Sequence, residues 1–196
     1  CLQNSSDAIF RRIAKKEITK GQFKVTYDSG SGTMVIEDNG GGMDANTLQE
    51  KFLTLFRSGK SEETEGDSIG GFGVAKAYIL GIVDFTKPGA GVPMRSQDYE
   101  CSTKETSEDG TFPIHYGQEF LPGFRLEFSG IDPGAWGWSD FTDQMANMLN
   151  YSDFGGKVDI IVNGDTKDVG KGMARIQKQP IRDAGLPDGV VADAYM

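Results

Sequence analysis

Residues 37–43 read Glu37-Asp38-Asn39-Gly40-Gly41-Gly42-Met43, or EDNGGGM, and they decide how the rest of the chain is read. They follow an apolar run at Met34, Val35 and Ile36 and precede an amphipathic pattern at Leu48, Phe52 and Leu55. Asp, Asn and Gly all tolerate tight-turn dihedrals, so Asp38-Asn39-Gly40 alone describes a turn equally well. A plain turn does not explain why glycine continues to Gly42 and Met43 before a helix opens. Glycine has no Cβ and lets a ligand lie against the backbone. A buried carboxylate beside an apolar methionine can accept a hydrogen bond from an exocyclic amine. The stretch therefore predicts a strand, a ligand-facing turn, and a helix capped by Asp44.

Two further motifs flank it. Upstream, residues 2–19 predict a helix with Leu2, Ile9, Phe10 and Ile13 as an apolar stripe. Within QNSSDA, Asn4, Asp7, Ala8 and Arg11 share the other face. Taken alone, Asn4 and Asp7 read as solvated helix residues. Downstream, Gly70-Gly71-Phe72-Gly73 opens an expected helix over residues 69–80, where free N–H groups and the helix dipole favour an anion. A flexible hinge is the plainer reading of those glycines. No dinucleotide fingerprint is present. Arg57-Ser58-Gly59-Lys60-Ser61 mimics the end of a P-loop, but Thr54 stands where its first glycine belongs. Residues 57–68 are polar and predict a mobile segment.

Residues 23–27 and 33–36 predict a hairpin around Ser29-Gly30-Ser31-Gly32, and residues 82–85 a further strand. Residues 87–122 hold Pro88, Pro93, Pro113 and Pro122 and read as a long excursion, with a hairpin turn around Glu108-Asp109-Gly110. A strand follows at 124–128, then a helix capped by Ser139 and running to Leu149, with Phe141, Met145 and Met148 inward. Residues 158–162 predict a buried strand ending in an Asn163-Gly164 turn. The expected organisation is one nucleotide-binding domain over residues 1–164, with 165–196 a tail or the start of a following domain. His115, the single histidine, has no nucleophile partner, and Trp136 and Trp138 read as packing residues or a surface turn.

A net charge of −9 argues against a chain whose main task is coating nucleic acid. Backbone amides can still build a local anion site. No apolar run is long enough to span a membrane, so none is expected as a partner. Cys1 and Cys101 form no metal or redox spacing and fit unpaired thiols in a reducing compartment, the cytoplasm. The chain opens on Cys1 in a sequence already helical in pattern, which is the expectation for a fragment of a longer protein.

NSSDA, DNGGGM and IGGFGV together resemble the three nucleotide boxes of the Bergerat-fold (GHKL) ATPases, closest in wording to the ninety-kilodalton heat-shock chaperones. The resemblance is strong over residues 2–80, weak to about 163, and fades beyond. It implies an α/β (α+β) two-layer sandwich, with a mixed, mostly antiparallel sheet and helices on one face. It implies ATP and Mg²⁺ as cofactors, with Asn4 on the metal and Asp7 supporting the nucleotide. Asp38 would accept the adenine amine, with Gly40, Gly42 and Met43 walling the ring and Ser58 in a lid. The amides of Gly70, Gly71, Phe72, Gly73, Val74 and Ala75 would cradle phosphates. Ala75 stands where the family's third glycine is usual.

The family's general-base Glu would fall just before Cys1, so no catalytic residue is expected within these residues. A Gly-Thr expected near the adenine could correspond to Gly123-Phe124 or to Gly110-Thr111. The function implied is the ATP-binding domain of a larger ATP-driven protein, with hydrolysis coupled to conformational change or homodimerisation. A nucleotide sensor or interaction scaffold that does not hydrolyse is the alternative.

Overall fold

The computed structural model describes residues 1–48, 81–105, 112–132, 134, 136–170, 178–180 and 193–195. Helix α1 (Leu2–Ala14) leads into strands β1 (Gly21–Asp28) and β2 (Thr33–Asp38), then the single turn α2 (Ala45–Thr47). Strands β3 (Pro93–Ser102) and β4 (Ile114–Ser129) follow, then α3 (Trp138–Asn150), β5 (Val158–Val162) and β6 (Asp165–Lys167). These six strands form one sheet in the order β3-β4-β2-β1-β5-β6. Every neighbouring pair is antiparallel except β1 with β5. A separate antiparallel pair joins β7 (Lys178–Pro180) and β8 (Asp193–Tyr195).

Register explains why the sheet has two unlike faces. Phe23, Asp38, Phe124 and Ser96 stand in one row across β1, β2, β4 and β3. Val25, Ile36, Leu126 and Met94 form the next row on the same side, and all four are buried. Side chains alternate along a strand, so the intervening residues point the other way. There Glu37 lies 2.8 Å from Arg125 and 3.7 Å from Lys24, and Arg125 lies 3.4 Å from Glu127. These pairs are part-exposed and contribute little individually. Their effect is to mark the polar face.

Helices α1 and α3 cover the apolar face, as an α+β two-layer sandwich requires. Ile9 of α1 packs so close to Gly21 that a Cβ there would collide with it. Leu2 of α1 and Met145 of α3 border the same cavity as Phe23, Met34, Ile36 and Phe128 of the sheet. Tyr27, Trp136, Trp138 and Phe141 form an aromatic cluster, with Trp138 stacked on Tyr27 at 5.1 Å, so the tryptophans pack as expected.

Several expectations are corrected. Helix α1 stops at Ala14 rather than running to 19, because Lys16 adopts a φ of 60°. Among the described residues, 82–85 make one bridge, Val83 to Ile131, since the Asp84 carboxylate accepts bonds from the backbone and hydroxyl of Thr86 and turns the chain. Residues 87–122 are no excursion, for they contain β3 and the first half of β4, which pair as an antiparallel ribbon; the turn expected at Glu108-Asp109-Gly110 lies outside the described residues. Gly137, not Ser139, is the N-cap of α3, and Met148 is about half exposed while Leu149 is buried. The sheet also passes residue 164, because β6 pairs with β5 through an Asn163-Gly164 turn with both φ positive.

Candidate functional site

Asp38 is the last residue of β2 and stands in the helix-covered row of the sheet. Its environment is built from three directions. From α1, Ser5 Oγ donates to Oδ2 at 2.6 Å. From its own turn, the Gly40 N–H donates to Oδ1 at 2.8 Å. From β4, the backbone of Phe124 supplies a third hydrogen bond. Burial raises the carboxyl above its ordinary value, and these three donors pull it partly back.

The approach of α1 is a consequence of helical spacing. Ser5, Ala8 and Arg12 recur at three- and four-residue steps and face the turn together. A Cβ at Gly40 would meet the Ala8 methyl at 2.7 Å. Arg12 Nη1 donates to the Asn39 carbonyl at 2.9 Å and reaches the Gly40 carbonyl at 3.5 Å. Asn39 Oδ1 in turn accepts the Gln22 N–H at 2.7 Å. Asn4, one residue before Ser5, is exposed, and Asp7 is half-buried.

Two glycines are required by contact. Gly42 has a φ of +64°, and a Cβ there would strike Ser96 Oγ and sit 2.7 Å from the Gly123 carbonyl. Gly123 in turn lets β4 cross directly over the Asp38 carbonyl, where a Cβ has no room. The Gly123-Phe124 pair thus sits against Asp38, while Gly110-Thr111 lies outside the described residues. Asp44 caps α2 as expected, accepting the Thr47 N–H at 2.8 Å, and this bond lowers its carboxyl below the ordinary value.

Of the expected site residues, the structure gathers Asp38, Gly40, Gly42 and Met43 at one corner, with α1 beside them. Ser58, Gly70, Gly71, Phe72, Gly73, Val74 and Ala75 lie outside the described residues, as do residues 49–80 as a whole. Sequence reasoning missed Ser5, Arg12, Ser96 and Tyr99. The stripe of Ser5, Ala8 and Arg12 was available as a signal; nothing local pointed to Ser96 or Tyr99.

His115 is exposed and pairs with Glu105 at 2.8 Å, away from any nucleophile named here. Cys101 is buried, and burial pushes its thiol up to about 11, which suppresses thiolate chemistry at neutral pH. Among the described residues, no group of three or more His, Cys, Asp or Glu side chains could hold a metal. Nor is any helix among them long and apolar enough to cross a membrane. A cavity of about 420 Å³ lies between α1, α3 and the sheet; among the described residues its lining is apolar apart from Gln144 and Cys1 and does not include Asp38. That described lining carries no carboxylate and no histidine. The titratable corner is the site at Asp38. No protein-family model matches the chain.

Proposed function

We propose that this chain is an ATP-binding domain that takes adenine at the Asp38 corner, as part of a larger cytoplasmic, ATP-driven protein of the GHKL type. The observation that carries this reading is the state of the Asp38 carboxylate. An ionised carboxylate offers about four lone-pair sites. Among the described residues, Ser5 and Gly40 donate to it and the Phe124 backbone also favours the charged form, which fixes its plane and leaves acceptor capacity for an exocyclic amine. Asp38 is half-buried, so the acceptor capacity left over can be met by a donor from outside the protein. Gly40 and Gly42 are packed against protein, whereas Gly41 has nothing within 4 Å of its Cβ direction, so Gly41 and the half-buried Met43 are the part of the turn that suits a flat base.

Mg²⁺ in this reading rests on the exposed amide of Asn4, together with phosphate oxygens and water. Magnesium commonly binds through few protein groups plus substrate phosphates. Asn4 is exposed on α1 and adjoins in sequence the Ser5 that touches Asp38. In this reading ATP turnover is coupled to conformational change or homodimerisation, as the GHKL resemblance implies.

Calorimetric titration with Mg-ATP tests the assignment. Asp38→Asn presents a donor where the amine needs an acceptor, and the expected loss is about 1.5–3 kcal/mol of binding. Equal affinity in the two proteins would exclude Asp38 as the base reader.

A further inference from the structure

The glycine turn after Asp38 is held from a second side that α1 does not reach. Ser96, fully buried on β3, donates its hydroxyl to the Gly123 carbonyl at 2.8 Å and accepts the Met43 N–H at 3.1 Å. Tyr99 Oη donates to the Met43 carbonyl at 2.7 Å. Both backbone polar groups of Met43 are therefore fixed by β3. Residues three apart on a regular strand point to opposite faces. Here the register slips at Gln97, which has a φ of 51°, and Ser96 and Tyr99 are both buried toward the turn. The irregularity gives the ribbon two side-chain contacts where a regular strand gives one.

We infer that Ser96 and Tyr99 are positioning residues for base selection, acting through Met43. They hold the Gly42-Met43 peptide at a fixed distance from Asp38, so that a ring lying against it presents its amine to the carboxylate. With the clasp released, the turn admits rings at other heights and the carboxylate no longer discriminates. This inference rests on the reading of Asp38 as an adenine acceptor.

The test compares ATP with inosine triphosphate, which carries a carbonyl where adenine carries its amine. Both are titrated with Mg²⁺ into the full chain, into Tyr99→Phe, Ser96→Ala and Asp38→Asn, and thermal melts are recorded for each. Tyr99→Phe removes one oxygen and keeps the ring, so it carries the result if Ser96→Ala does not fold. The preference for ATP over inosine triphosphate is expected to fall on the order of tenfold in each clasp variant, with inosine triphosphate affinity held near the parent value. The Tyr99→Phe and Ser96→Ala effects should combine to less than their product, because both act on one residue.

An unchanged preference in folded Tyr99→Phe, with Asp38→Asn abolishing it, overturns the clasp and leaves the Asp38 reading standing. Equal loss for both nucleotides together with a lowered melting temperature also overturns it, since that is the mark of a purely structural role. If Asp38→Asn keeps the parent preference, the reading of Asp38 fails and the clasp inference falls with it.

Discussion

The turns at the two ends of β2, the first opened by Asp28 of β1 and the second by Asp38, carry the same short chemistry and put it to different uses. At one end Asp28 Oδ1 accepts the Gly30 N–H at 2.9 Å and Oδ2 accepts the Ser31 hydroxyl at 2.8 Å. At the other, Asp38 Oδ1 accepts the Gly40 N–H at 2.8 Å and Oδ2 accepts the Ser5 hydroxyl at 2.6 Å. Both are aspartates bonded to the glycine two residues on and to a serine. The serine of Asp28 is three residues away in the same exposed turn, while the serine of Asp38 comes from α1. Hydrogen bonds dominate at Asp28 and lower its carboxyl; burial dominates at Asp38 and raises it. What separates a turn from a candidate site here is the origin of the second partner and the loss of water.

Substituting the glycines should split the two turns most widely. Gly32 and Gly42 have nearly equal positive φ, +63° and +64°, so alanine pays a similar backbone cost in both. That cost is about 1–2 kcal/mol. At Gly42 the added methyl also strikes Ser96 and the Gly123 carbonyl, whereas at Gly32 the nearest atom is 3.9 Å away. Overpacking of this kind adds about 1–3 kcal/mol. Denaturant unfolding should show Gly42→Ala well below Gly32→Ala in stability, and matched midpoints would break the contrast.

The serines come next. Ser5→Ala leaves a half-buried carboxylate short of one donor and should cost about 1.5–3 kcal/mol, while exposed Ser31→Ala should stay within about 0.5 kcal/mol. Chemical denaturation of the two variants side by side would read the difference. Loss of Ser5 should also raise the Asp38 carboxyl further, since its hydrogen bond works against burial.

The smallest effect is the sign of the pH dependence. For Asp38 the folded value is raised, so its contribution to stability is present below the ordinary carboxylate value and lost as pH rises through the folded value. For Asp28 the folded value is lowered, so its contribution is present above the ordinary value and lost as pH falls through the folded one. Nucleotide-free Asp38→Asn should therefore gain on the parent in melting temperature as pH rises from acid to neutral, and Asp28→Asn should lose ground. Melts across that range that moved both variants the same way would contradict the burial of Asp38.

Local chemistry was legible in the sequence, and partners across the sheet were not. The β1–β2 hairpin, the Asp44 cap, β5 and the Asn163-Gly164 turn all follow from short-range patterns, and they stand where expected. The β3–β4 ribbon was hidden for a physical reason. Met94 and Ser96 keep a period of two, then the slip at Gln97 shifts the buried set to Tyr99 and Cys101. An alternation that changes phase in mid-strand reads as no alternation. Gly123 was noticed as half of a motif, yet its steric role depends on Asp38, which precedes it by most of a hundred residues. Ser5 was passed over although it adjoins Asn4, because burial on α1 is decided by where β2 ends.

The single parallel pairing of β1 with β5 has a consequence for assembly. The Tyr27 N–H bonds to Asn163 Oδ1 at 2.7 Å across a sequence separation of 136 residues, and the Asn163 N–H returns to the Val25 carbonyl at 2.9 Å. The β1–β2 hairpin can close early, since its partners are near in sequence. The free edge of β1 then waits until β5 has been synthesised and has found it. Pairings between distant segments form slowly, and a strand edge left open meanwhile is a template for another chain. In this molecule the β1 edge of the hairpin waits for β5, which comes later in the chain than the β4 that covers β2, and aggregation during synthesis should begin there.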